Sequence, residues 1–210
     1  MSARLATFCL VFAALSTAMA QSAVSPDSEL VVYLRGAAQP AEPIRYMKAE
    51  LEAIMHRAGF EVSWRSANQP IDAPFVAVVA FSGSCAPGPA APFREETSLA
   101  TTSVTDGRVL PFSKIDCFAL TRAVGPVGNG LYGQAMARVL AHELYHVLVQ
   151  TTHHSRTGIA KQCFSNTDLL AERFDFEEDI RVQLRSMRPA GETVITPPTA
   201  ASTSRPEVRR

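Results

Sequence analysis

The pentapeptide His142-Glu143-Leu144-Tyr145-His146 restricts this chain more than any other stretch. It lies within residues 131–150, where Leu131, Ala135, Val139, Leu140, Leu144, Val147 and Leu148 recur at helical spacing and predict a helix with one apolar face. On a helix, residues four apart project from the same side, one turn or roughly 6 Å apart along the axis. His142 and His146 can therefore reach one small ion together. Glu143 points about a quarter turn away, so it does not share the ion easily but can hold a water beside it. This is the HExxH arrangement, two zinc-binding imidazoles with a carboxylate as general base. The alternative makes His142 and His146 core histidines satisfied by backbone or carboxylates, with Glu143 on the surface. That arrangement needs several buried polar partners, which a metal ion supplies together.

With 210 residues the chain has room for one domain plus tails. Lysine plus arginine and aspartate plus glutamate balance at 20 each, so nothing points to nucleic acid or an anionic membrane as partner. Residues 1–20 read as a cleavable export signal. Arg4 gives a positive start, residues 5–15 are apolar, and Ala18-Met19-Ala20 is an A-x-A cleavage site. The alternative is a membrane anchor, but the run is short for a span, and no later run is long enough. The expected location is secreted or periplasmic. Of four cysteines, Cys9 falls in the signal, which leaves Cys85, Cys117 and Cys163. In an oxidising compartment the expectation is a Cys85–Cys117 disulfide with Cys163 free; three reduced, packed thiols are the alternative.

Residues 29–35 read as a first strand and 44–58 as an amphipathic helix stopped by Gly59. Residues 60–65 alternate as a strand, and the continuous apolar run 75–81 reads as a central strand covered on both faces. Residues 82–92 form a loop. Residues 99–105 and 109–118 read as two more strands, the second placed at a sheet edge by Pro111. After the histidine helix, Thr167 or Asp168 caps a last helix running to about residue 187, with Glu177, Glu178 and Asp179 on its solvated face. Proline, threonine, serine and alanine then dominate, giving a disordered tail at 189–210. The domain is thus 21–188. The element order predicts an α+β fold, with a mixed twisted sheet of about four to five strands and two main helices.

The stretch 141–161, AHELYHVLVQTTHHSRTGIAK, resembles the active-site segment of secreted zincin metallopeptidases, closest to the metzincin group. In that group a third histidine follows a glycine-containing turn, and a Gly-Ile-Met-like segment passes under the metal. His154-Ser155 resembles the third ligand, and Gly158-Ile159-Ala160 the later segment. Val149 stands where the glycine is expected, Thr152 where the third histidine is expected, and Ala160 in place of methionine. The resemblance implies a zincin-like fold and hydrolysis of a protein or peptide substrate, with Zn2+ on His142, His146 and His154 and with Glu143 as the base. It also implies that the edge strand before the active helix, 109–116, receives substrate as an added strand. Tyr132 and Tyr145 are candidate oxyanion helpers, against the alternative that each simply packs. Zinc binding without catalysis, or a metal-free structural domain, are the other readings. Nothing in the sequence sets an oligomeric state.

The third ligand has three candidates. His153 and His154 are neighbours, so in extended chain only one of them reaches the metal. Glu172, within DLLAERF, is the glutamate arrangement of the gluzincin group. The zincin context of Ser155 and Gly158 favours His154, with the longer spacing absorbed by about half a turn more helix through Thr151 and Thr152.

Overall fold

β-Branched and aromatic residues make β1 (Glu29–Arg35) the strand on which the sheet is built. The structure is a computed structural model and describes residues 28–36, 38–66, 69, 73–89 and 98–187. The expected export signal (1–20) and tail (189–210) lie outside the described residues. α1 (Ala41–Arg57) buries Met47, Leu51, Ile54 and Met55 at helical spacing, and it returns the chain to β2 (Glu61–Arg65), parallel to β1. β3 (Phe75–Ser82) pairs with the other side of β1, also in parallel. β4 (Ala100–Thr105) and β5 (Arg108–Asp116) form an antiparallel hairpin, and β5 runs parallel to β3. The result is an α+β fold with a mixed five-stranded sheet in the order β2-β1-β3-β5-β4.

β3 is central, as expected, but it is not fully covered on both faces. Ala77 and Val79 are fully buried, while Val76, Val78 and Ala80 on the other face are half-buried. The edge assignment of 109–118 is corrected. β5 lies inside the sheet, between β3 and β4, and β4 is the edge. Pro111 is accommodated by a bulge instead. Val104 faces Val109 and Thr102 faces Ser113, so Leu110, Pro111 and Phe112 lie opposite Ser103 alone. An irregular ladder is the other place where a proline that cannot donate is tolerated.

The expected strand also ends early. Asp116 accepts a hydrogen bond from the Ala119 amide at 2.9 Å and caps α2 (Cys117–Val124), a helix the sequence reading did not contain. α3 (Asn129–Val149) follows and carries the histidine pair. It is not a helix with a single apolar face. From Ala135 to Leu148 it is buried on all sides. Gly133 permits its close approach to α1, since a Cβ there would lie 2.7 Å from the Pro43 carbonyl oxygen. The expected single last helix is two: α4 (Asn166–Leu170), capped by Ser165 in a capping box with Asp168, and α5 (Glu178–Ser186). Cys85 and Cys117 form a disulfide, and Cys163 is free and exposed. Among the described residues no helix is long and apolar enough to cross a membrane.

Candidate metal centre

His142 and His146 lie one turn apart on α3, with Nε2 atoms 3.1 Å from each other. Their other nitrogens are fixed by backbone. His142 Nδ1 donates to the Ile159 carbonyl and His146 Nδ1 to the Thr151 carbonyl, each at 2.7 Å. With the protons held on Nδ1, both Nε2 atoms present bare lone pairs toward one another. Such a pair is repulsive without a cation between the nitrogens, and backbone bonds of this kind set the tautomer of metal-ligating imidazoles. Zinc holds imidazole nitrogen at about 2.0–2.1 Å, so the observed 3.1 Å spacing suits two ligands of one ion.

The carbonyl that holds His142 comes from a tight turn. Gly158 has φ +66°, and a Cβ there would meet the Asp175 carbonyl oxygen at 2.7 Å. Ile159 donates its amide to that same Asp175 oxygen at 3.0 Å, and Ser155 donates to Ala160 at 2.9 Å. The segment 158–160 therefore abuts His142, and it does so through the Ile159 backbone carbonyl. Ala160, where a methionine was the expectation, is fully buried.

His154 completes the group. Its ring stacks on His142 with centroids 5.1 Å apart and meets His146 edge-on at 4.8 Å. One nitrogen from each of the three histidines lies within 4.8 Å of the others, and these residues could hold a metal ion. His153 and Glu172 are not in this group. Both are exposed, and Glu172 lies in the break between α4 and α5 rather than on a helix facing the site. The longer spacing is not absorbed by extra helix. α3 stops at Val149, and Gln150 takes the left-handed conformation at φ 55° and ψ 43° that a glycine would usually fill. Residues 151–154 then cross back as loop.

Burial lowers the proton affinity of all three rings. It brings His142 down to about 4, against the opposing Ile159 hydrogen bond. His146 is lowered by burial and by His154, and His154 by burial and by His153. Without metal, the His142 ring is therefore neutral near pH 7, the state in which imidazole ligates.

Glu143 is not a surface residue. It is 6% exposed, and burial pushes its carboxyl above the usual carboxylate range. Its Oε2 accepts a hydrogen bond from Thr102 Oγ1 at 2.6 Å, and Thr102 Oγ1 lies 3.0 Å from Ser113 Oγ. Glu143, the three histidines and Thr102 line one cavity of about 770 Å³, together with Leu99, Val104, Val139, Cys163 and Phe164. The edge strand β4 forms one wall of it. Tyr132 and Tyr145 do not line it. The Tyr132 hydroxyl bonds the Cys117 carbonyl at 3.1 Å, and Tyr145 is buried against His146 and Phe176.

Thr102 and Ser113 are the site residues that reading the sequence missed. Asp106-Gly107, with φ 51° and 75°, is a hairpin turn signal that joins β4 to β5. The turn alone would set Thr102 opposite Pro111; the bulge sets it opposite Ser113. A shift of two residues leaves Thr102 on the same face. No family model matches the chain, and no curated protein matches it.

Proposed function

We propose that this chain is an exported zinc-dependent metallopeptidase with a zincin-like domain. The observation that carries the reading is the position of Glu143. It is a buried carboxylate lining the same cavity as three neutral imidazoles, held by a hydroxyl and not grouped with them. A site that only binds metal has no need of such a group. His142, His146 and His154 would hold the ion through ring nitrogens, and imidazole donors suit zinc. When bound, zinc supplies Lewis-acid polarisation of a carbonyl and lowers the pKa of a nearby water.

The remaining work belongs to the chain. Glu143 accepts the water's proton on its carboxylate and delivers it to the departing amine. The raised proton affinity of the buried carboxyl suits a group that must hold and then release that proton near neutral pH. β4, the open edge beside the cavity, offers backbone groups to an extended polypeptide; this takes over the role expected of 109–116. Leu99, Val104, Val139 and Phe164 give the cavity an apolar side for a substrate side chain.

Glu143→Ala and His142→Ala separate the roles. Glu143→Ala is expected to retain zinc and lose hydrolysis of an unfolded protein substrate, while His142→Ala loses both. Equal zinc loss in the two variants would show that the roles are misassigned.

A further inference from the structure

We propose that Thr102, on the edge strand, is a positioning residue that fixes the Glu143 carboxylate in the cavity, with Ser113 setting the direction of the hydrogen bond. The proposal rests on the reading of Glu143 as the base. A glutamate side chain has three rotatable bonds, and one turn of helix places this one beside two imidazoles. Something must keep it from wandering. The donor that does so comes from the sheet, not from α3.

Thr102 has one proton to give and two acceptors on the same residue. Glu143 Oε2 lies at 2.6 Å and the Glu143 backbone carbonyl at 3.4 Å. The shorter bond, to a carboxylate, takes the proton. Thr102 Oγ1 then has only lone pairs left for its neighbour, so Ser113 Oγ, 3.0 Å away, is the donor to it. Ser113 is 4% exposed and sits on β5, inside the sheet. The chain Ser113 to Thr102 to Glu143 thus runs one way, from the sheet interior to the carboxylate. With Oε2 engaged, Oε1 is left for the cavity. Thr102 is β-branched, which further restricts its own rotation. It depends on the bulge at Pro111, which brings Ser113 opposite it.

The test uses the full zinc-loaded chain with Thr102→Val, Thr102→Ser and Ser113→Ala. Valine keeps the shape and removes the donor; serine keeps the donor. The readouts are zinc content, thermal unfolding, the crystallographic position of the Glu143 carboxylate, and kcat and KM on a peptide substrate. Thr102→Val is expected to keep its zinc while the carboxylate leaves its place, and kcat falls about 10²-fold with KM unchanged, the scale of an ångström-sized misplacement. Thr102→Ser is expected to restore position and most of kcat, and Ser113→Ala to show a smaller loss of the same kind. Should Thr102→Val not fold, Ser113→Ala carries the same structural and kinetic readouts. A carboxylate that stays in place in Thr102→Val, or a serine variant as impaired as the valine one, overturns the proposal. Wild-type protein that holds zinc and cleaves nothing removes the peptidase reading alone, since the carboxylate position still decides the role of Thr102.

Discussion

Backbone carbonyls, not acidic side chains, orient the two helix imidazoles, so the turn at Gly158 is as much a part of the site as the histidines. Gly158→Ala forces a side chain into φ +66° and against the Asp175 carbonyl. It is expected to cost about 1–3 kcal/mol, the usual scale of such strain, and to weaken zinc binding as well. Denaturant unfolding and a zinc titration of the variant check both. The lowered proton affinity of the histidine rings also sets a pH dependence for the metal-free protein. His142 is lowered to about 4, against about 6.5 in an unfolded chain. Above the higher value the ring is neutral in both states and contributes no slope. Between the two, the unfolded chain takes up a proton that the folded chain does not, so stability is lost as pH falls through that window. His146 and His154 are shifted in the same direction and add to it. Thermal unfolding of chelator-treated protein across this range is expected to show the decline, and a flat profile would contradict it. At this scale the sequence exposes His142, Glu143 and His146 through their spacing alone. His154 needed the resemblance of its surroundings to a zincin segment as well. Thr102 was hidden because its role depends on a cross-strand register, which no local pattern encodes.

At the scale of elements, the five strands and the helices α1 and α3 are readable from the sequence pattern, whereas α2 and the break between α4 and α5 are not, and the errors fall where tertiary contacts override periodicity. The residues after Leu170, Ala-Glu-Arg, are good helix formers, yet the chain leaves the helix there. In exchange Phe176 is buried, Asp175 pairs with Arg57 at 2.8 Å, and the Asp175 carbonyl receives the Ile159 amide. The break therefore supports the turn that holds His142. The end of α3 is a second such place. Gln150 bears the left-handed cap in a conformation that costs a residue with a Cβ about 1–2 kcal/mol. Gln150→Gly relieves that cost but gives up the side-chain bond to the Val147 carbonyl at 2.7 Å. A net gain of roughly 0.5–1 kcal/mol is expected from chemical denaturation, in the range of glycine's advantage at a positive φ. Destabilisation would mean that the side-chain bond outweighs the backbone strain. Pro111 points the sequence reading to a sheet edge, and the structure contradicts it: β5 is internal, and the irregular pairing with β4 accommodates the proline, an outlet that depends on neighbours no local pattern reveals.

Over the whole molecule, the three histidines lie on the β4 side of the sheet, with α3 laid against β4 and β5 so that helix and edge strand share one cavity. The α+β class followed from element order, whereas strand order did not, because parallel pairing depends on contacts distant in sequence. The Cys85–Cys117 bridge ties the segment after β3 to the start of α2 across 32 residues. Loop-closure entropy for that span puts its contribution at about 3–4 kcal/mol. Unfolding with and without reductant should differ by that order, and no difference would contradict it. The most direct test of the three-histidine centre is elemental analysis of zinc per chain. It compares wild type with His142→Ala, His146→Ala, His154→Ala, His153→Ala and Glu172→Ala, purified without chelator. About one ion per chain is expected in wild type and in the His153 and Glu172 variants, with loss in the other three, as three protein ligands to one zinc require. A metal-free wild type, or a His154→Ala variant that keeps its full zinc while Glu172→Ala or His153→Ala loses it, would contradict that centre.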